Sequence, residues 1–546
     1  MALACTYSVA LVGVAGHVVL VEADIANGLP GMILVGLPDT ALREARDRIR
    51  AAIVNSGHVW PQRRITVGLS PAWLPKRGSW FDLAIAVGVL AADGVVPREA
   101  VAGVMFFGEL GLDGRLRPVR GVLPAVVAAA KAGFGTAMVA AENAAEAGLV
   151  PDVRVIAAST LAAAVDWLRG TPGLHPGVVP AAVFDGARPD AGPDGVRADA
   201  GPDGARTDAG PDGVRTDAGD RGAAGRSRPD LSEVLGQAMA RKALEICAAG
   251  GHHLSLLGPP GAGKTMLAER LPGILPSLEI EQALEVTSIH SVAGKLPPRC
   301  GLVVEPPFLA PHHTASKAAI VGGGSAIIRP GAASLAHRGV LFLDEAPEFG
   351  RDVLDALRQP LESGEVTLAR SGVTATFPAR FTLVMAANPC PCARVAGPAQ
   401  GCSCSPAARR RYLGRISGPL LDRVDVKIEL LPVGRQELLD DRGLAESSQV
   451  VAARVAAARD RAARRLAGTP WRLNAEVPGS ELRRHWPPAA GALTHVERAL
   501  ERGQISARGV AKVIRVAWTL ADRAGKPRPG SDECDFALGL WLGVTQ

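Results

Sequence analysis

One stretch constrains this chain more than any other: Gly258, Pro259, Pro260, Gly261, Ala262, Gly263, Lys264 and Thr265 in unbroken succession. It follows an apolar run, His253-Leu-Ser-Leu-Leu257, that reads as a buried strand. It opens a helical pattern, Met266-Leu-Ala-Glu-Arg-Leu271. A strand, a glycine loop and a helix in that order define a P-loop. Glycines let backbone N–H groups curl around phosphate oxygens where a Cβ would clash, and the helix start adds its positive dipole end. In such a loop Lys264 would reach the β- and γ-phosphates of ATP, and Thr265 would ligate Mg²⁺. The plain alternative is a glycine-rich turn in a chain of 63 glycines; the matching flanks and a later carboxylate pair argue against it.

That pair ends Gly339-Val-Leu-Phe-Leu-Asp344-Glu345. An apolar strand delivering adjacent acids at its C-terminal edge is a Walker B arrangement. Asp344 would belong to the Mg²⁺ shell and Glu345 would polarise the attacking water. A third strand, Phe381-Thr-Leu-Val-Met-Ala-Ala387, ends at Asn388. Its amide is placed either to orient that water as a sensor or to start the next turn, since Asn-Pro favours turns. Arg423 follows a short helical pattern, and Arg508 opens a later helix. A guanidinium inserted at a neighbouring subunit's γ-phosphate would complete such a site, but by sequence alone either residue reads equally as a solvated arginine.

The 546 residues suggest roughly three or four domains, and 47% hydrophobic content supports packed cores. The charge balance, 60 Lys+Arg against 54 Asp+Glu, tolerates a nucleic-acid partner without demanding one. Aromatic residues at 4% leave no evident base-stacking platform. No uninterrupted apolar run of about 18 residues argues for a membrane span. The first twenty residues lack a basic segment and alternate like a strand, so no signal peptide is expected. Four of the eight cysteines are scattered and four cluster, a pattern of a reducing cytoplasm rather than of a disulfide framework.

The fold class expected is α/β in three parts. Residues 1–184 alternate strand-like runs (18–22, 32–35, 65–69) with helical patterns (41–55, 82–90, 123–132). Residues 185–229 hold three copies of a nine-residue Gly-Pro-Asp-Gly repeat, starting at Gly192, Gly201 and Gly210. Their only large apolar residue is valine, so the segment reads as a disordered linker. Residues 230–432 carry the P-loop and read as a doubly wound parallel sheet. Residues 433–546 read as a helical lid, with amphipathic stretches at 450–467 and 510–523.

The chain resembles the bacterial ComM (YifB) proteins, the magnesium-chelatase-like branch of the AAA+ ATPases. The resemblance covers everything but the linker. It is carried by Val35-Gly-Leu-Pro-Asp39, Gly108-Glu-Leu-Gly-Leu-Asp-Gly114, Ala310-Pro-His-His-Thr314, Ser334 to Glu345, Leu357-Arg-Gln-Pro-Leu-Glu362, Asn388-Pro-Cys-Pro-Cys392 and Ser506-Ala-Arg-Gly509. It implies a homo-hexameric ring with ATP at subunit interfaces, the sensor role of Asn388, the finger role of Arg423, and a nucleotide contact for Arg508. It also implies action on DNA, in branch migration during natural transformation. Residues 365–381 resemble a pre-sensor hairpin with Arg370 at its tip, a candidate DNA contact. Residues 306–329, with His312 and His313, resemble a channel-facing insert.

The N-terminal part resembles the Lon-protease fold but departs from it at the catalytic dyad. The string Pro75-Lys-Arg-Gly-Ser-Trp80 puts Trp80 where the nucleophilic serine belongs, and Ala125 stands at the lysine position. The part reads as a binding module, not a protease. Cys390, Cys392, Cys402 and Cys404 form two C-x-C pairs. Four cysteines in a loop without a core to bury them suit structural Zn²⁺; reduced thiols or redox-labile pairs are the alternatives. Three functions compete: an ATP-driven ring motor on DNA, the ATPase subunit of a magnesium chelatase, and a protein-remodelling chaperone. The integrin-type Asp-x-Ser-x-Ser ion site of the chelatase partner subunit does not occur here.

Overall fold

The alternating apolar runs of the first 171 residues form strands where the period is two. Ala2–Val12 and Ala15–Ala26 pair antiparallel across a two-residue turn, in full register from Ala2 opposite Ile25 to Val12 opposite Ala15. They sit inside an eight-stranded sheet in the order 177–179, 154–158, 136–140, 104–107, 2–12, 15–26, 64–70, 31–35. The helix Asp82–Ala92 is buried at every position. Its sequence, Asp-Leu-Ala-Ile-Ala-Val-Gly-Val-Leu-Ala-Ala, has apolar residues all round, which requires neighbours on every face. The expected strands at 18–22, 32–35 and 65–69 and helices at 41–55 and 82–90 fall within observed elements, and the helix expected at 123–132 is observed over Val122–Lys131.

Trp80 is buried against Phe107, ring centroids 5.7 Å apart, and donates its indole N–H to the Val9 carbonyl. Ala125 is fully buried. Ser79 donates to the Glu109 carboxylate, and the buried Lys76 ammonium donates to the Pro71 carbonyl.

The computed structural model describes residues 2–36, 40–76, 78–171, 177–179, 214–216, 229–297, 301–324, 328–370, 373–394, 402–434, 437, 441 and 445–544. Most of the repeat linker of residues 185–229 lies outside them. The chain divides into two compact units, the first built mainly on residues 1–213 and the second on 214–289, 303–370 and 375–546. No helix among the described residues is long and apolar enough to cross a membrane.

The second unit holds a six-stranded sheet in the order 214–216, 308–311, 340–343, 382–387, 254–257, 426–429. Every pairing is parallel except that of the edge strand Val214–Thr216. Val340–Leu343 and most of Thr382–Ala387 are buried, as expected for central strands covered on both faces. Parallel strands end at one edge, so the segments after residues 257, 311, 343 and 387 all emerge together. That edge is where ligands bind in open α/β sheets.

The C-terminal helices complete this core. Leu254, Leu256, Val340, Phe342, Val384 and Ile428 of the sheet belong to one apolar cluster with Val451, Val455, Val513, Val516, Leu540 and Trp541. The helices Ser448–Arg465 and Ala507–Ala524 supply four of those side chains. Two polar joints fix them. Lys512 pairs with the buried Asp425 at 2.7 Å, whose other oxygen accepts from the His253 backbone at 3.0 Å. Glu245, on the helix Ala238–Gly250, takes Arg454 and Arg523 from two C-terminal helices.

Candidate nucleotide site

The P-loop takes its shape from its glycines. A Cβ at Gly258 would stand 2.7 Å from the Leu430 carbonyl oxygen, so the loop can pass the neighbouring strand's end only without a side chain. Gly261 and Gly263 have φ of +78° and +87°, the left-handed region where a Cβ costs on the order of 1 kcal/mol. These turns bring Lys264 to the first position of the helix Lys264–Ile274.

Lys264 is buried and its ammonium is fully engaged within the loop. It donates to the Gly258 carbonyl at 2.7 Å, the Pro259 carbonyl at 2.9 Å and the Asn388 Oδ1 at 3.0 Å. Burial pulls its pKa below the usual lysine range, against the opposing pull of Asp344 and Glu345. Asn388 therefore meets the P-loop lysine directly. Thr265 Oγ1 donates to Asp344 Oδ2 at 2.9 Å. This hydroxyl and this carboxylate are oxygen donors of the kind that would hold a hard divalent cation such as Mg²⁺.

Glu345 leaves the strand by an unusual route. Its φ and ψ are 50° and 43°, a left-handed conformation that only a few per cent of non-glycine residues adopt. Two bonds hold it there: its N–H donates to Asp344 Oδ1 at 2.9 Å, and its carbonyl accepts from the Glu348 N–H at 2.7 Å. The turn directs Asp344 to Thr265 and leaves the Glu345 side chain 49% exposed. Local strain of this kind concentrates at functional sites.

The sequence marks His313 only as part of an insert and gives no sign of its place beside Glu345. His313 Nδ1 lies 3.4 Å from Glu345 Oε2, and its ring lies 4.1 Å from that of His312. Both histidines follow Phe308–Pro311, a strand of the main sheet, and so arrive at the same edge as Glu345. The short Phe-Leu-Ala-Pro run between prolines has too little period to announce a strand, which is why it reads in sequence as part of an insert. Two further residues close the site from behind. Arg415 donates to the Pro347 carbonyl at 3.2 Å and to Glu348 at 2.8 Å, and Tyr412 is buried at the end of the helix Pro406–Leu413.

Lys264, Thr265, Asp344, Glu345 and Asn388 are thus brought together, whereas Arg423 and Arg508 are not. Arg423 pairs with Glu362 at 2.9 Å and donates to the Pro419 carbonyl at 2.6 Å. Arg508 is exposed near the start of the helix Ala507–Ala524. The hairpin consists of Glu365–Arg370 and Val373–Pro378; its turn at residues 371–372 and the side chain of Arg370 lie outside what is described. Cys390, Cys392, Cys402 and Cys404 come together, with all four sulfurs within 4.8 Å of one another, and could hold a metal ion.

A parallel α/β sheet carrying a phosphate loop and a carboxylate pair on one edge defines the P-loop nucleotide-binding class. Comparison with known proteins narrows this. Residues 230–438 match the family described as magnesium chelatase, subunit ChlI. Residues 21–143 match the family of subunit ChlI of Mg-chelatase, and residues 445–540 the family of the ChlI C-terminal part. An uncharacterized protein of Mycobacterium tuberculosis is 49% identical over 99% of each chain. The competence protein ComM of Haemophilus influenzae is 41% identical over 99% of this chain and 97% of its own. The uncharacterized protein YifB of Escherichia coli is 40% identical over 96% of this chain and 94% of its own. The chain belongs to the ComM/YifB family of magnesium-chelatase-like AAA+ proteins.

Proposed function

We propose that this chain hydrolyses ATP with Mg²⁺ in a ring of identical subunits and uses the energy to move DNA, as in branch migration. The observation that carries the ATPase reading is the convergence of Lys264, Thr265, Asp344, Glu345 and Asn388 on one sheet edge. Gly258 to Gly263 would wrap the phosphates, Lys264 would neutralise them, and Thr265 with Asp344 would hold Mg²⁺. Glu345 would accept the proton of the attacking water, and Asn388 would orient that water. ATP with its metal supplies the transferable phosphoryl group; the residues hold, orient and deprotonate.

Arg423 in this reading exchanges Glu362 for the γ-phosphate of the adjacent subunit, and Arg508 touches the nucleotide from the C-terminal helices. Mixing Arg423→Ala and Lys264→Ala proteins, each inactive alone, is expected to restore part of the ATPase rate. Recovery requires interfaces that pair an intact loop with an intact arginine. Mixed rings that stay inactive would show that Arg423 does not act across subunits.

DNA as the substrate is supported by identity along nearly the whole chain to a protein named for competence, and the net charge of +6 is compatible with it. The test is whether duplex or branched DNA accelerates ATP hydrolysis when a polypeptide or a porphyrin does not. Arg370→Ala is expected to weaken DNA binding by a similar factor for every sequence and to lower the salt slope by about one, the signature of one phosphate contact. ATP turnover without DNA is measured alongside. Unchanged DNA stimulation and an unchanged slope would remove Arg370 from the DNA path. Acceleration by a porphyrin complex instead would favour the chelatase reading, and acceleration by an unfolded polypeptide the chaperone reading.

A further inference from the structure

The four clustered cysteines lie in the loop that leaves the sheet at Asn388. Cys390 comes two residues after Asn388, and Cys404 immediately precedes Ser405, whose side chain caps the helix Pro406–Leu413 by accepting from Ala408 at 3.2 Å. The sulfurs touch in three pairs: Cys390 with Cys392 at 3.2 Å, Cys390 with Cys402 at 3.2 Å, and Cys392 with Cys402 at 3.5 Å. The Cys404 backbone N–H donates to the Cys402 sulfur at 3.4 Å, the kind of bond that supports a thiolate ligand.

Hydrophobic burial does not explain this convergence. Only Cys390 is buried; Cys392, Cys402 and Cys404 are partly open to solvent. A disulfide joins sulfurs two at a time and gives no reason for four to meet. A tetrahedral metal does. Zn–S bonds of about 2.3 Å place the sulfurs about 3.8 Å apart, and the four here lie within 4.8 Å of one another. Four cysteine ligands without an oxygen or an open position define a closed, structural site. The soft, all-sulfur donor set selects zinc over the hard cation at Thr265 and Asp344.

The cluster also sits where it can act on the nucleotide site. One end of its loop is Asn388, bonded to Lys264 at 3.0 Å. The other end is the helix that carries Tyr412 and leads to Arg415, which holds Pro347 and Glu348 just behind Glu345. We propose that Cys390, Cys392, Cys402 and Cys404 bind one Zn²⁺, and that the ion ties this loop so that Asn388 and the turn after Glu345 are held in register for hydrolysis. The cysteines are positioning residues, and this second part rests on the roles of Asn388 and Glu345 given above.

Protein purified without chelator is expected to contain one zinc per chain by elemental analysis, and Cys402→Ser with Cys404→Ser to contain almost none. Cys402→His, which supplies another zinc ligand, should retain it. Cobalt added to the metal-free protein should give the absorption of a tetrahedral thiolate site, a readout independent of ATP. Metal-free protein should still bind a fluorescent ATP analogue within about threefold while hydrolysing it roughly tenfold to a hundredfold more slowly, the usual range for loss of a support behind a site. Zinc re-addition should restore the rate. Absence of metal from the untreated protein, or its retention by the double serine variant, would overturn the site. Zinc present with hydrolysis indifferent to its removal would overturn the positioning role. Asn388→Ala that still hydrolyses ATP while holding its zinc would refute the sensor reading and leave the metal site standing.

Discussion

Glu345→Gln is expected to bind ATP with an affinity within about threefold of the parent and to hydrolyse it about 10²-fold to 10⁴-fold more slowly, the contribution of a positioned general base. The amide keeps the size and polarity of the carboxylate but cannot take a proton. The Glu345 backbone conformation is held by its own N–H and carbonyl, so the exchange leaves the turn intact. Lys264→Ala should fail earlier. It removes charge-assisted bonds worth about 1.5–3 kcal/mol to a phosphate, a loss of roughly tenfold to a hundredfold in affinity. Nucleotide binding by fluorescence and phosphate release separate the two effects. A Glu345→Gln protein that turns over ATP at the parental rate would place the base elsewhere, with His313, 3.4 Å from Glu345, as a candidate.

The second large effect concerns the joint between the sheet and the C-terminal helices. Asp425→Ala is expected to destabilise the second unit by about 3–5 kcal/mol, because it strands the Lys512 ammonium in a buried setting. Burial alone would raise the Asp425 pKa; Lys512 outweighs it, helped by His252 and His253, and holds the carboxyl well below the usual range. The group thus stays charged in the fold and stabilises at every pH above the ordinary aspartate range, with the benefit lost only as acid protonates it. Its partner also donates to the Arg423 carbonyl at 2.9 Å. Thermal melting reads the loss, and adding Lys512→Met to Asp425→Ala should recover at least half of it. A melting temperature unmoved by Asp425→Ala would show that the pair contributes nothing to the joint.

Much of this was legible in the residues. The loop from Gly258 to Thr265, the strand into Asp344 and Glu345, and the strand into Asn388 each carry local signals: apolar runs of strand length ending in glycine, acid or amide. The parallel pairing that gathers them is a long-range event, yet it follows once three buried strands are recognised in a P-loop context. What escaped was set by packing rather than pattern. Phe308–Pro311 is only four residues long and bounded by proline, so its place between Val214–Thr216 and Val340–Leu343 could not be read locally, nor could the approach of His313 to Glu345. The ion pair of Arg423 with Glu362 joins residues 61 positions apart, beyond any periodicity. The cysteines gave the inverse case: C-x-C spacing left zinc and free thiols open, and only the mutual approach of four sulfurs favours a metal.

The shared core of the second unit has a consequence for how such a chain can change over generations. The inner faces of Leu254–Leu257, Val340–Leu343 and Val426–Ile428 pack against Val451, Val455, Val516 and Trp541. A chain ending near residue 434 would present that apolar face to water, at a cost of about 25 cal/mol for each Å² exposed. The stretch that binds phosphate and the helices that follow it are heritable only as a pair.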